Sequence, residues 1–363
     1  MTMDGVNAKG PPMPKVVSSV NTISSFLADE QIQNAAALES FLNFPCPKSD
    51  GISSPNGRVV VFCASAVLST AEAVFAWAAG RASSQVNHES NSSEAESETL
   101  VANNSSNRNQ GSRDISDRIT LVLVGGVGHS TALLYDAVRK HPVFHVVADD
   151  VDGKPEAAVL QAIAERFYNL SIQNSPHRET SGSEAQGGLC ILVEDQSTNC
   201  GANASETRKV LEQHGIKSPH SIVVVQDPTM SRRTVASFQH TYRDIAREDF
   251  QIVSWPTFVP EVRLAETRRD DNNSPTLSSL IYKTSAEFTS GQDGLWSMDR
   301  FLDLLMGEIP RLRDDENGYG PNGRGFIGHV DVPPSVETAW ATVDSFLGNV
   351  RGEGGSQRQR VEA

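Results

Sequence analysis

Cysteine is scarce in this chain of 363 residues, which has 4, at Cys46, Cys63, Cys190 and Cys200. No two form a C-x-x-C pair and none has a histidine at zinc-finger spacing. That excludes a disulfide-stapled scaffold and a zinc ribbon, and predicts free thiols in a reducing compartment. Positive charge is also short. Lys plus Arg number 31 against 45 Asp plus Glu, a formal charge of −14. The counterion release that drives nucleic-acid binding therefore works against the chain, and no basic patch offsets it. The opening stretch MTMDGVNAKGPPMPK lacks the apolar run of a signal peptide and the arginines of a transit peptide, so a cytoplasmic location is the expectation.

Long apolar runs are almost missing too. The one stretch with the length of a membrane span, VVVFCASAVLSTAEAVFAWAAG at residues 59–80, holds Glu72 near its middle. An acid there costs about 2.5–3.5 kcal/mol on insertion scales. Its residue types also switch, from β-branched and aromatic at 59–62 to helix formers with Val67, Val74, Phe75 and Ala78 at helical spacing. A buried strand, a turn and a helix are expected, and no stable membrane span.

What is present is an alternation. Apolar runs at 59–62, 119–124, 189–193, 222–225 and 251–254 read as strands covered on both faces; helical stretches at 130–140, 155–167, 203–214 and 229–247 follow three of them, and the helix formers at 66–79 follow the first. Strand, helix, strand, helix predicts a three-layer, Rossmann-like α/β domain with a parallel sheet over residues 58–256. Segments 19–42, 298–311 and 336–347 look helical without strands between them, which suggests an added helical lobe. The expected division is a flexible N-terminus at 1–18, a helical segment at 19–57, the α/β domain, a lobe and C-terminal segment at 257–350, and a loose tail at 351–363. Residues 83–117, rich in Ser, Asn and Glu without an aromatic, read as a disordered insert, with smaller low-complexity stretches at 173–188 and 268–275.

In an open parallel sheet the ligand crevice lies beyond the carboxyl ends of the strands. Three polar loops fall there. The second strand runs into Gly125, Gly126, Val127, Gly128, His129 and Ser130; the third into Glu194, Asp195, Gln196, Ser197, Thr198 and Asn199; the fourth into Gln226, Asp227, Pro228, Thr229 and Met230. Glycines let a backbone approach a ligand closely, and N–H groups at the head of the next helix favour an anion. A plain glycine turn is the bland alternative. The acidic loop supplies a carboxylate and then hydroxyls and amides, Asn203 included, able to bond ribose, carboxylate or phosphate oxygens, although helix capping explains some of them. Arg232 and Arg233 can fork onto anionic groups or simply form a solvated helix face.

Two further readings share the glycine loop. Asp149 and Asp150 follow it at about the 20-residue spacing of a ribose-binding acid in a dinucleotide site. The string Gly128-His129-Ser130-Thr131-Ala132 approximates a nucleophile elbow, with Asp227 and His329 following in hydrolase order. Three extra residues separate that string from its strand, so Ser130 reads better as a helix cap.

The strings GGVGHST, EDQSTNCGANA, VVQDPTMSRRT and GEIPRLRDDENGYGPNGRGFIGHVDVP resemble the YdcF-type branch of a bacterial family of unknown function that also includes the envelope proteins SanA and ElyC. The resemblance covers about residues 19–346 outside the low-complexity stretches. It implies a Rossmann-like domain with an added helical lobe and, for the YdcF branch, binding of S-adenosylmethionine. The family's acidic and amide loop maps onto Glu194, Ser197, Asn199 and Asn203, its glycine loop onto Gly125, Gly126 and Gly128, and its basic helix start onto Arg233. Two positions depart from the family: Ala202 where a Glu is common, and Ala64-Ser65 where a Gly-Asn type turn is common. The expected function is small-molecule binding without an assigned metal, with a non-catalytic envelope or scaffold factor as the rival.

Overall fold

A computed structural model describes residues 10–44, 57–95, 119–172, 188–245, 247–266, 277–283 and 294–351. Five parallel strands form the main sheet: β1 (Arg58–Cys63), β2 (Ile119–Val124), β3 (Leu189–Glu194), β4 (Ser221–Val225) and β5 (Gln251–Ser254), in the order β3-β2-β1-β4-β5. In register, Cys63 lies beside Val124 and Val124 beside Glu194, while Phe62 lies beside Val225. The carboxyl ends of the four strands are therefore level, which brings their following loops to one edge. The fold is α/β and Rossmann-like, as the alternation predicts.

Strand alternation divides the core into two layers. Val60, Phe62, Leu121, Leu123, Val223 and Val225 face one side, where α2 (Ala35–Leu42), α3 (Ser69–Ala95) and α6 (Glu156–Tyr168) pack. Val59, Val61, Cys63, Val122, Val124, Ile222 and Val224 face the other, against α7 (Cys200–Gln213) and α8 (Ser231–Thr241). Both faces are dry, which is why these strands read as unbroken apolar runs. On the first side the connection after β2 also carries α4 (Thr131–Lys140), a 3₁₀ turn (Phe144–Val147) and the short α5 (Ala148–Val151).

A third core belongs to the lobe. Val16, Val20, Ile23 and Leu27 of α1 (Met13–Ala28) pack with Phe301, Leu302, Leu305 and Ile309 of α9 (Met298–Leu312), and with Val336, Val343 and Phe346 of α10 (Pro334–Arg351). The first and last helices thus close one unit, although they stand at opposite ends of the sequence. It also holds a short antiparallel pair, β6 (Val262–Leu264) and β7 (Leu280–Tyr282), that the sequence reading does not anticipate.

Several boundaries differ from expectation. Helix α1 starts at Met13, so residues 13–18 are not a loose N-terminus, and α10 runs through Arg351. Helix α3 continues to Ala95, into the stretch read as a disordered insert, while 96–117 lie outside the described residues, as do 173–187 and 268–275. Helix α7 starts three residues earlier than expected because Asn199 caps it, accepting from the Ala202 N–H at 3.0 Å. Helix α8 stops at Thr241, well short of 247. The apolar stretch 59–80 divides into β1 and the start of α3, and among the described residues no helix is long and apolar enough to cross a membrane.

Candidate functional site

The glycine loop and the acidic loop close on each other. Gly125 N–H donates to Glu194 O at 2.9 Å and Gly126 N–H to Ser197 O at 2.8 Å. The first N–H groups of α6 then reach the same loop, Glu156 to Gly126 O at 3.0 Å and Ala157 to Gly125 O at 2.7 Å. A Cβ on Gly126 would lie 2.5 Å from Ser197 O and 2.8 Å from Asp195 O. Glycine at 126 therefore admits the neighbouring backbone rather than a ligand, which corrects the sequence-based reason for it. Gly128 N–H is also taken, by Thr131 Oγ1 at 2.8 Å. The N–H groups of Val127, His129 and Ser130 have no partner among the described residues. Ser130 stands at the N-cap of α4 but makes no side-chain cap; Thr131 closes that turn.

Glu194 organises the acidic loop from inside. It is buried, and its Oε1 accepts from the N–H groups of Gln196 at 2.7 Å and Ser197 at 2.8 Å, while Oε2 accepts from the Ser197 hydroxyl at 2.5 Å. Burial pushes its pKa up, and these three donors act to lower it. Gln196, Thr198 and Asn199 are exposed around it.

Asp227, after β4, is similarly enclosed. One oxygen accepts from Thr229 N–H at 2.9 Å and Thr229 hydroxyl at 2.6 Å; the other accepts from Ser65 hydroxyl at 3.1 Å and the Trp296 indole N–H at 3.2 Å. Burial raises its pKa against the effect of those four donors. The carboxylate thus ties the loop after β1 to the loop after β4 and to the segment entering α9. Next to it Gln226 is buried, its Oε1 accepting the Asp227 N–H at 2.7 Å, and half-buried Met230 precedes α8. The expectation that Glu194 and Asp227 offer free acceptors to a ligand is corrected: three donors of the chain fill the first and four fill the second.

Both arginines of α8 are turned toward the lobe. Arg233 forks onto Glu308 of α9, with Nε at 2.5 Å and Nη2 at 3.1 Å, and Arg311 adds a bond to the same carboxylate at 3.0 Å. Glu308 is 1% exposed. Arg232 donates to Phe26 O at 2.5 Å, pairs with Asp29 at 2.8 Å and lies 4.1 Å over the Phe26 ring. The forked recognition expected from these side chains does occur, but the carboxylates belong to the protein itself.

Two groups that sequence reasoning did not select stand at the same edge. Glu156 heads α6 and is half-buried; its Oε1 accepts from the Thr131 hydroxyl at 2.9 Å, and burial raises its pKa while that bond opposes the shift. Cys63 ends β1, fully buried, with its thiol bonded to the Asn203 side chain and its pKa pushed well up by burial, Cys200 adding to the effect. The helix start after Pro155 was legible, but nothing local tells which neighbour an acid at its first position meets.

The hydrolase and dinucleotide arrangements do not assemble. His329 bonds Asp314 at 2.7 Å and Asp331 at 3.0 Å, not Asp227 or Ser130. Asp149 and Asp150 lie exposed on the short helix α5, not at the end of a strand in the chain. Of the surface cavities, one of about 260 Å³ lies between β3 and α7, lined by Val193, Asp195, Glu206 and Lys209 among others. Another of about 410 Å³ lies between the start of α1 and α10. Among the described residues no cluster of three or more His, Cys, Asp or Glu has metal-binding geometry. No protein-family model matches the chain.

Proposed function

We propose that the protein binds a small nucleotide-like molecule carrying an anionic group, S-adenosylmethionine being the leading candidate, across the carboxyl ends of β1, β2 and β4. The observation that carries this reading is the strand order β3-β2-β1-β4-β5. The winding reverses between β1 and β4, so their connections leave to opposite faces of the sheet, and such a switch point is where open α/β sheets bind ligands. The N–H groups of Val127, His129 and Ser130 at the head of α4 receive the anionic group, favoured by the positive end of that helix. Gln196 and Thr198, exposed, and Met230, half-buried, remain for the rest of the ligand. Glu194, Asp227 and Arg233 act behind the site, as braces. The choice of S-adenosylmethionine draws on the YdcF-type resemblance of the four motifs, and a cytoplasmic setting agrees with the thiols of Cys63 and Cys200, which form no disulfide.

Thermal unfolding with and without the ligand tests the reading. At one hundred times its Kd, S-adenosylmethionine should stabilise the fold by about 2.7 kcal/mol. No stabilisation at millimolar ligand would favour the second reading, a non-catalytic scaffold factor. The observation on that side is that Glu194, Asp227, Arg232 and Arg233 all find partners within the chain.

A further inference from the structure

The carboxylate of Glu156 has one oxygen fixed and one open. Gly128 N–H donates to Thr131 Oγ1 at 2.8 Å, and Thr131 Oγ1 in turn donates to Glu156 Oε1 at 2.9 Å. This relay sets the orientation of the carboxylate. Its second oxygen, Oε2, has no partner among the described residues. It stands over the ends of β1 and β2: a Cβ on Gly125 would lie 3.0 Å from Glu156 Oε2 and 3.2 Å from the Ala64 Cβ. Gly125 has φ +150, a conformation L side chains rarely adopt, so glycine keeps the space under Oε2 clear. The two buried acids at this edge, Glu194 and Asp227, have both oxygens occupied by donors of the chain, and Asp195 is exposed to solvent, so Glu156 is the half-buried acid with an open oxygen. A half-buried carboxylate with an open oxygen favours a cation, because a cation restores what desolvation removes.

We propose that Glu156 Oε2 is the acceptor for the cationic group of the ligand bound at the switch point, an ammonium or sulfonium on a small molecule whose anionic group meets the head of α4. The inference rests on the binding reading above and deepens it. It divides the ligand's opposite charges between two helix starts joined by the Thr131 bond, the anion at α4 and a cation at Glu156 of α6. A zwitterionic ligand then fits better than a purely anionic one such as a nucleoside phosphate.

Calorimetric titration of the full chain with S-adenosylmethionine and with adenosine, which lacks the carboxylate, the ammonium and the sulfonium, tests this. For Glu156→Gln the expected result is at least a tenfold loss of affinity for S-adenosylmethionine with adenosine affinity unchanged. Wild-type affinity for S-adenosylmethionine should also fall on acidification as the carboxylate takes up a proton, whereas that of Glu156→Gln stays flat. Unchanged S-adenosylmethionine affinity in Glu156→Gln, or an equal loss for both ligands, overturns the role of Glu156 alone. Wild-type protein that binds adenosine no less tightly than S-adenosylmethionine does the same. Wild-type protein that binds neither overturns the binding reading and this inference with it.

Discussion

The two halves of the strand-end edge are held together by different means. Over β2 and β3 the loops join backbone to backbone, through Gly125, Gly126 and the first N–H groups of α6. Over β1 and β4, and on to the lobe, they join through charged side chains: Asp227 to Ser65 and Trp296, Arg233 to Glu308, Arg232 to Asp29. The first half needs residues without side chains, the second needs residues with strong ones. Both kinds look like ligand machinery in a sequence. The difference teaches that motif residues of high charge can serve the frame, while the groups left open include modest ones, such as three backbone N–H groups and one oxygen of Glu156.

The largest effect is expected on the side-chain half. Glu308→Ala leaves Arg233 without its partner in a closed junction, and breaking such a buried pair costs about 3–5 kcal/mol, read as a shift in the denaturant midpoint. A double variant, Arg233→Met with Glu308→Leu, should recover much of that loss, since apolar replacement of both partners is often neutral. If the single variant unfolds like wild type, the ion pair does not hold the lobe to α8.

On the backbone half the expected cost is smaller. Gly126→Val places a side chain against Ser197 O and Asp195 O and should destabilise by about 1–3 kcal/mol, the range for overpacking. Hydrogen exchange should show 195–198 opening together with 125–128. Unchanged protection at 195–198 would mean the two loops are not coupled. Arg232→Ala, at a half-buried position, should cost about 1 kcal/mol, mostly packing and hydrogen bonding at the end of α1. A cost as large as that of Glu308→Ala would remove the distinction drawn between the two arginines.

The smallest effect concerns pH and lies away from both halves. His141 Nδ1 accepts from the N–H groups of Val143 at 3.2 Å and Phe144 at 3.1 Å, and the ring stacks on Phe144 at 4.0 Å. Burial, with His145 adding, lowers its pKa below 6.5. The unfolded chain therefore takes up this proton first on acidification. Stability from neutral His141 is complete above the unfolded pKa and is lost as pH falls through the folded one. His141→Asn keeps an acceptor for both N–H groups and removes the titration, so its melting temperature should decline less than wild type between about pH 7 and pH 5. Equal slopes would show that the ring is not the titrating group, His220 and His240 being lowered in the same direction.

The strands were legible because both faces of the sheet are apolar, so β2 and β5 fall on the expected residues and β1, β3 and β4 within one. The edge where the polar loops meet was legible by the same route, through level strand ends. Their roles were not. Glu308 is 75 residues from Arg233 and carries no local sign of that partner. Trp296 reaches Asp227 across 69 residues. The β6 and β7 pair is three residues per strand, too short for alternation to register. Ser130 looked like a cap because it precedes an apolar helical pattern, yet the hydroxyl that closes the turn is one residue later, and only the fold shows that it also reaches Glu156.

The most direct test of the central claim follows backbone amide resonances during titration with S-adenosylmethionine. The account predicts the largest shifts at Val127, His129 and Ser130, with smaller ones at Ser65 and at residues 226–230, and little change along α9 and α10. Saturable shifts confined to the cavity between β3 and α7, or none at any residue, would contradict it.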